Sequence, residues 1–172
     1  MRLTIKPSKK IISATLFLQM IGLIFSFSCP RPSFAAETII ETQHLWFGKI
    51  VITKNDAVYT LALDPNNGVI ADNAFVILQA GNPGIFALNG FPANYQITAS
   101  IQPAPSQTTF QSGSATATEF DIFPSLETET FNTDANGSYE LRVFGRLKTS
   151  GTGLAYLDGT YFRNYQIVFN YN

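Results

Sequence analysis

The sequence predicts an all-β protein: short antiparallel strands arranged as a two-layer sandwich or a closed barrel. Three observations lead there. From Tyr161 onward the chain alternates, with Tyr161, Tyr165, Ile167, Phe169 and Tyr171 on one side and Phe162, Asn164, Gln166, Val168 and Asn170 on the other; Arg163 is the one break. A period of two is that of a strand with one face buried. Apolar segments recur at spacings of about ten residues between Gly, Pro and Asn turns. Beyond the first 35 residues no stretch carries a helical 3.6-residue period.

The chain of 172 residues opens with Arg2, Lys6, Lys9 and Lys10, followed by an apolar run from Ile11 to Phe27. Ser33-Phe34-Ala35 then places small residues around a cleavage point after Ala35. This predicts a secretory leader over 1–35 and one exported domain over 36–172, secreted, periplasmic or on the cell surface. Two alternatives stand beside it. The apolar run is long enough for a retained membrane anchor. Cys29 offers a lipidation point, although Ser26 stands where a leucine is expected. Residues 36–172 keep all twelve acidic residues but only six of the eleven basic ones, a net charge of −6. An acidic domain without a basic cluster argues against nucleic acid as a partner. Cys29 is the sole cysteine, so this domain holds no disulfide and must rest on its core, for which nineteen aromatic residues are available.

In chain order, Ala36 to Gln43 reads as a polar lead-in. His44 to Thr53 reads as a strand apolar on both faces, suited to an interior position. After Asn55-Asp56, Ala57 to Asp64 alternates again. Asp64-Pro-Asn-Asn-Gly68 has loop chemistry. Ala74 to Gln79 and Ile85 to Leu88 are β-rich and separated by Gly81-Asn-Pro-Gly84. Asn94 to Gln102 is a strand ended by Pro103 and Pro105. Gln107 to Glu119 reads as a loop or twisted edge hairpin. Phe120 to Phe123 and Thr128 to Phe131 are short strands. Asn136-Gly137 turns into the strand Ser138 to Leu147, and Thr149 to Gly153 is a flexible connection. Asp158-Gly159 then turns the chain into the final strand.

The inventory for chemistry is thin. Residues 36–172 hold one histidine, His44, at a strand end, and no cysteine. A nucleophilic triad could rest only on His44, a zinc site would need an unusual set of carboxylates, and no enzymatic activity is expected. Glu119 with Asp121 and Glu127 with Glu129 each share a face if extended, which suits the solvated side of an edge strand. Asn132, Asp134 and Asn136 with Gly137 match the opening of a calcium loop, making them the one metal candidate; Val143 stands where that loop needs Glu. A turn held by Asx side chains is the competing reading. No other cofactor is expected. Tyr95, Tyr156 and Phe162 are the aromatics to inspect for sugar stacking.

Leu45-Trp46-Phe47-Gly48, Phe86-Ala87-Leu88-Asn89-Gly90, and the closing Gly159-Thr160-Tyr161 with Val168-Phe169-Asn170-Tyr171-Asn172 together resemble a bacterial secreted family. It is domain-of-unknown-function family 4402, similar to spore coat protein U and archaic fimbrial subunits. Val143-Phe144-Gly145-Arg146-Leu147 stands in for a further motif, with Phe144 where that family has Gly. The resemblance implies an immunoglobulin-like sandwich without enzymatic activity. The C-terminus is also similar to that of pilus subunits assembled by chaperone and usher: Gly159 is fourteenth from the end and Tyr171 penultimate. That similarity implies assembly by strand addition, first with a periplasmic chaperone and then with the N-terminal arm of a like subunit. Gly159, Tyr161, Tyr165, Ile167, Phe169 and Tyr171 would be the assembly residues, the aromatic side lining the receiving groove. Two features depart from this pattern: no disulfide is available, and Ala36 to Gln43 is a short arm with only Ile39 and Ile40 as strong anchors. The expected function is an exported surface structural or adhesive subunit. The alternative is a self-contained carbohydrate- or calcium-binding module.

Overall fold

A computed structural model describes residues 36–102, 110–111 and 119–171. The expected leader, Cys29 and most of Gln107 to Glu119 lie outside them. The described residues form thirteen strands and no helix, and every strand pairing is antiparallel.

The chain begins with β1 (Thr38–Gln43), where the sequence suggested a polar lead-in. Ile39, Glu41 and Gln43 turn inward in alternation, and only Ile39 of the three is apolar, which hid the strand. β1 pairs with β6 (Gly84–Asn89), and β6 pairs with the first half of β11 (Tyr139–Lys148). The second half of β11 takes β3 (Thr60–Asp64) on the same edge as β6 and β9 (Asp121–Leu126) on the other. β4 (Gly68–Ala71) closes the sheet beyond β3 across the Asp64–Gly68 turn. That turn follows its chemistry: the Asp64 carboxylate accepts from the Asn66 and Asn67 amides, both at 2.9 Å.

The facing layer is made of separate sheets. β10 (Thr130–Asn132), β7 (Gln96–Gln102) and β13 (Gln166–Asn170) form one of them. β2 (Trp46–Ile52) and β5 (Phe75–Asn82) form another, and β8 (Phe110–Gln111) with β12 (Tyr161–Phe162) a third. Between β5 and β6 only Pro83 intervenes, and there the chain passes from one layer to the other. The result is a β-sandwich with two cores. In the first, Phe86, Leu88, Leu141 and Val143 meet Ile97, Ala99, Phe131 and Ile167. Leu88, Leu141 and Ile97 are fully buried, each contributing about 2–3 kcal/mol of transfer free energy. In the second, Phe47 and Phe75 from the β2–β5 ribbon meet Leu61, Leu63, Phe144 and Leu147.

Three expectations are corrected. β2 does not lie inside: among the described residues it pairs with β5 alone, and Val51 is 45% exposed. Its two apolar faces have another cause. Gly48 has φ of 101°, which breaks the alternation, so Phe47 before it and Ile50 and Ile52 after it all reach the second core. The link Thr149 to Gly153 is bonded rather than loose, because Thr149 and Asn55 are buried and hold it. The final strand is broken. β12 and β13 belong to different sheets, separated at Arg163 to Tyr165, the place where the alternation faltered.

Candidate functional site

Where β2 passes the chain leading into β13, the sandwich stands open. A groove of about 1060 Å³ runs between all of β2 on one wall and Tyr156 to Tyr165 on the other. β5 contributes to it only Leu78 and Gln79, so the groove follows the edge of β2 that β5 leaves free. Its floor is apolar, built from Phe47, Ile50, Ile52, Ile122 and Leu147.

An aromatic cluster shapes the opposite wall. Phe120 stacks on Tyr156 with centroids 4.2 Å apart and meets Tyr161 edge-on at 5.0 Å. The Tyr156 hydroxyl donates to the Glu119 carbonyl at 3.0 Å and accepts from the Ser150 amide at 2.8 Å. The Tyr161 hydroxyl donates to the Leu157 carbonyl at 3.0 Å. Burial pushes the pKa of both phenols up. They serve as fixed walls with one polar tip each, and stay protonated at neutral pH. At the far end the Tyr165 hydroxyl is buried with no hydrogen-bond partner among the described residues, and burial, reinforced by the charge of Glu41, raises its pKa strongly.

The assembly residues expected from the C-terminus divide between two places. Gly159, Tyr161 and Tyr165 line the groove. Ile167 and Phe169 pack into the first core instead, where Phe169 lies 6.3 Å from the Phe86 ring. Tyr171 is 39% exposed and meets Phe91 edge-on at 5.1 Å. Ile50, Ile52 and Phe120 are groove residues that the sequence reading did not single out. The isoleucine pair that follows Gly48 was the available signal for two of them.

The other candidates resolve locally. One oxygen of Asp134 accepts from the Asn136 and Ser138 amides, both at 2.8 Å, so Asp134 to Ser138 is an Asx-stabilised turn, while Asn132 ends β10. Those amides hold the Asp134 pKa below the usual carboxylate range. Among the described residues no three His, Cys, Asp or Glu side chains converge on a common point. His44 is exposed, with Nδ1 2.9 Å from the Glu41 carboxylate. Tyr95 is half-buried against the first core.

Compared with family models, curated proteins and solved structures, the chain finds no match.

Proposed function

We propose that this chain is an exported, non-enzymatic surface structural or adhesive subunit of immunoglobulin-like, fimbrial-subunit type. Its groove receives an extended apolar segment, first from a periplasmic chaperone and then from a like subunit. One observation carries the reading: the groove has an apolar floor and runs along the edge of β2 that no described strand takes. An unpaired edge above an apolar trough is what strand addition requires. Main-chain hydrogen bonds supply affinity, and alternate side chains enter the trough. The self-contained binding module is less well supported, since Tyr156 is already stacked and bonded and Asp134 is engaged by its own turn.

Trp46 is the chain's single tryptophan, lines the groove and is 39% exposed, so it reports on occupancy. Titrating the exported chain with a synthetic peptide of residues 36–45 is expected to shift Trp46 emission saturably and raise the melting temperature. A scrambled peptide without the apolar spacing is expected to do neither. Leu157 and Phe162 line the groove with exposed side chains, so Leu157→Asp with Phe162→Asp should leave the fold intact and weaken binding at least about tenfold. Identical responses to the native and scrambled peptides would rule out strand addition at this groove.

A further inference from the structure

The turn between β10 and β11 reads Asp134-Ala135-Asn136-Gly137-Ser138, and none of these residues lines the groove. Asn136 is the chain's sole asparagine with serine or threonine two places on. Asparagine, any residue but proline, then serine or threonine is the minimal acceptor pattern for an N-linked glycan. The stricter oligosaccharyltransferases also require a carboxylate two places before the asparagine, where a cationic subsite grips it, and Asp134 stands there. The fold holds this segment by its base and leaves its tip in water. The Asp134 amide donates to the Ser138 carbonyl at 2.8 Å, and the Phe91 amide donates to the Gly137 carbonyl at 3.1 Å. Asp134, Ala135 and Asn136 are exposed. Gly137 has φ of 73°, and a Cβ on it would collide with the Phe91 carbonyl oxygen, so the place after Asn136 favours glycine. The Ser138 hydroxyl donates to Asn89 Oδ1 at 3.1 Å on the surface, a contact of modest net strength that a bound enzyme can replace.

We propose that Asn136 is an acceptor for an N-linked glycan, transferred to the folded domain from a polyprenyl-diphosphate oligosaccharide. This rests on the reading of the chain as exported, because the transfer takes place on the exported side of the membrane. Asn136 Nδ2 attacks C1 of the donor's first sugar. An N–C1 bond forms as the C1–O bond to the diphosphate breaks. The electron pair leaves with the polyprenyl diphosphate, which takes up the proton lost from Nδ2. Asp134 and Ser138 are positioning residues: the carboxylate docks the turn on the enzyme, and the hydroxyl orients the asparagine amide. Because the turn stays clear of the groove, a glycan there, bulky and solubilising, leaves strand addition open.

The test incubates the full chain, purified in its folded state, with an oligosaccharyltransferase of the carboxylate-requiring class, a divalent cation and a polyprenyl-diphosphate oligosaccharide. Intact-mass spectrometry is expected to show one added glycan, and tandem spectrometry of its peptides to place it on Asn136. Asn136→Gln is expected to stay unmodified with its melting temperature unchanged. Ser138→Ala and Asp134→Asn should each lower the rate at least about tenfold, while Ser138→Thr and Asp134→Glu keep it. A residue that merely stiffened the turn would act with the opposite sign, since loosening the turn opens the asparagine to the enzyme. No glycan on the folded chain, a glycan at another residue, deamidation of Asn136 in its place, or unchanged rates in Ser138→Ala and Asp134→Asn would each overturn the proposal. The reaction runs on purified chain and takes no reading from Trp46, so a failure of export or of peptide binding at the groove is seen separately.

Discussion

Asn55 is 8% exposed, and its amide group is saturated. Nδ2 donates to the Leu154 carbonyl at 2.8 Å and the Ser150 hydroxyl at 3.0 Å, while Oδ1 accepts from the Gly151 amide at 2.9 Å. Asn55→Ala removes all three and leaves backbone groups of the 150–154 loop unpaired. The expected cost is about 2–3 kcal/mol, read from urea unfolding. Asp134 acts through charge. Its folded-state pKa lies below the unfolded value because the Ser138 and Asn136 amides favour the carboxylate. Its stabilisation is therefore complete above about pH 4, the unfolded value, and is lost as pH falls through the lower folded value. The urea midpoint of the native chain should fall more steeply on acidification than that of Asp134→Asn, the two converging at the acid end. The same carboxylate oxygen is occupied by its own turn, so calcium up to about 10 mM, above the range of extracellular sites, should leave the melting temperature unchanged.

At the scale of elements, the β2–β5 ribbon depends on Gly48. With φ at 101°, a side chain there is strained, and a Cβ would collide with the Gln79 carbonyl oxygen across the ladder. Gly48→Ala is expected to destabilise by about 2–4 kcal/mol, read by thermal and urea unfolding. It should also abolish the Trp46 response to peptide, because β2 forms a whole wall of the groove. The same glycine explains why β2 was misread. Its two apolar faces imitate a buried strand, but they come from a change of facing in mid-strand. β1 escaped notice for the opposite reason, since its inward positions include Glu41 and Gln43 and carry no apolar alternation. β7 and β11 were legible because Ile97, Ala99 and Ile101, like Leu141 and Val143, face one core without interruption.

For the molecule as a whole, alternation and turn chemistry specified the all-β class, and Asp64–Gly68 and Asn136-Gly137 turn where their residues demand. The groove was only half legible. Gly159, Tyr161 and Tyr165 could be named from the closing segment, whereas the facing wall arises from a pairing between residues 46–52 and 75–82 that no local pattern encodes. Arg163 marked the division of that closing segment, since two strands sent to different sheets need not keep one alternation.

β11 pairs with β6, β3 and β9, and it gives Leu141 and Val143 to one core and Phe144 and Leu147 to the other. Neither half of the sandwich can open without releasing that strand. Amide protons of 141–147 should therefore exchange with deuterium slowest, at the rate set by global unfolding, while those of Val76 to Ala80 exchange early. A mass-resolved exchange series on the intact chain would display this hierarchy directly. Two separable transitions, with 141–143 and 145–147 protected to different extents, would mean that the halves melt as independent units.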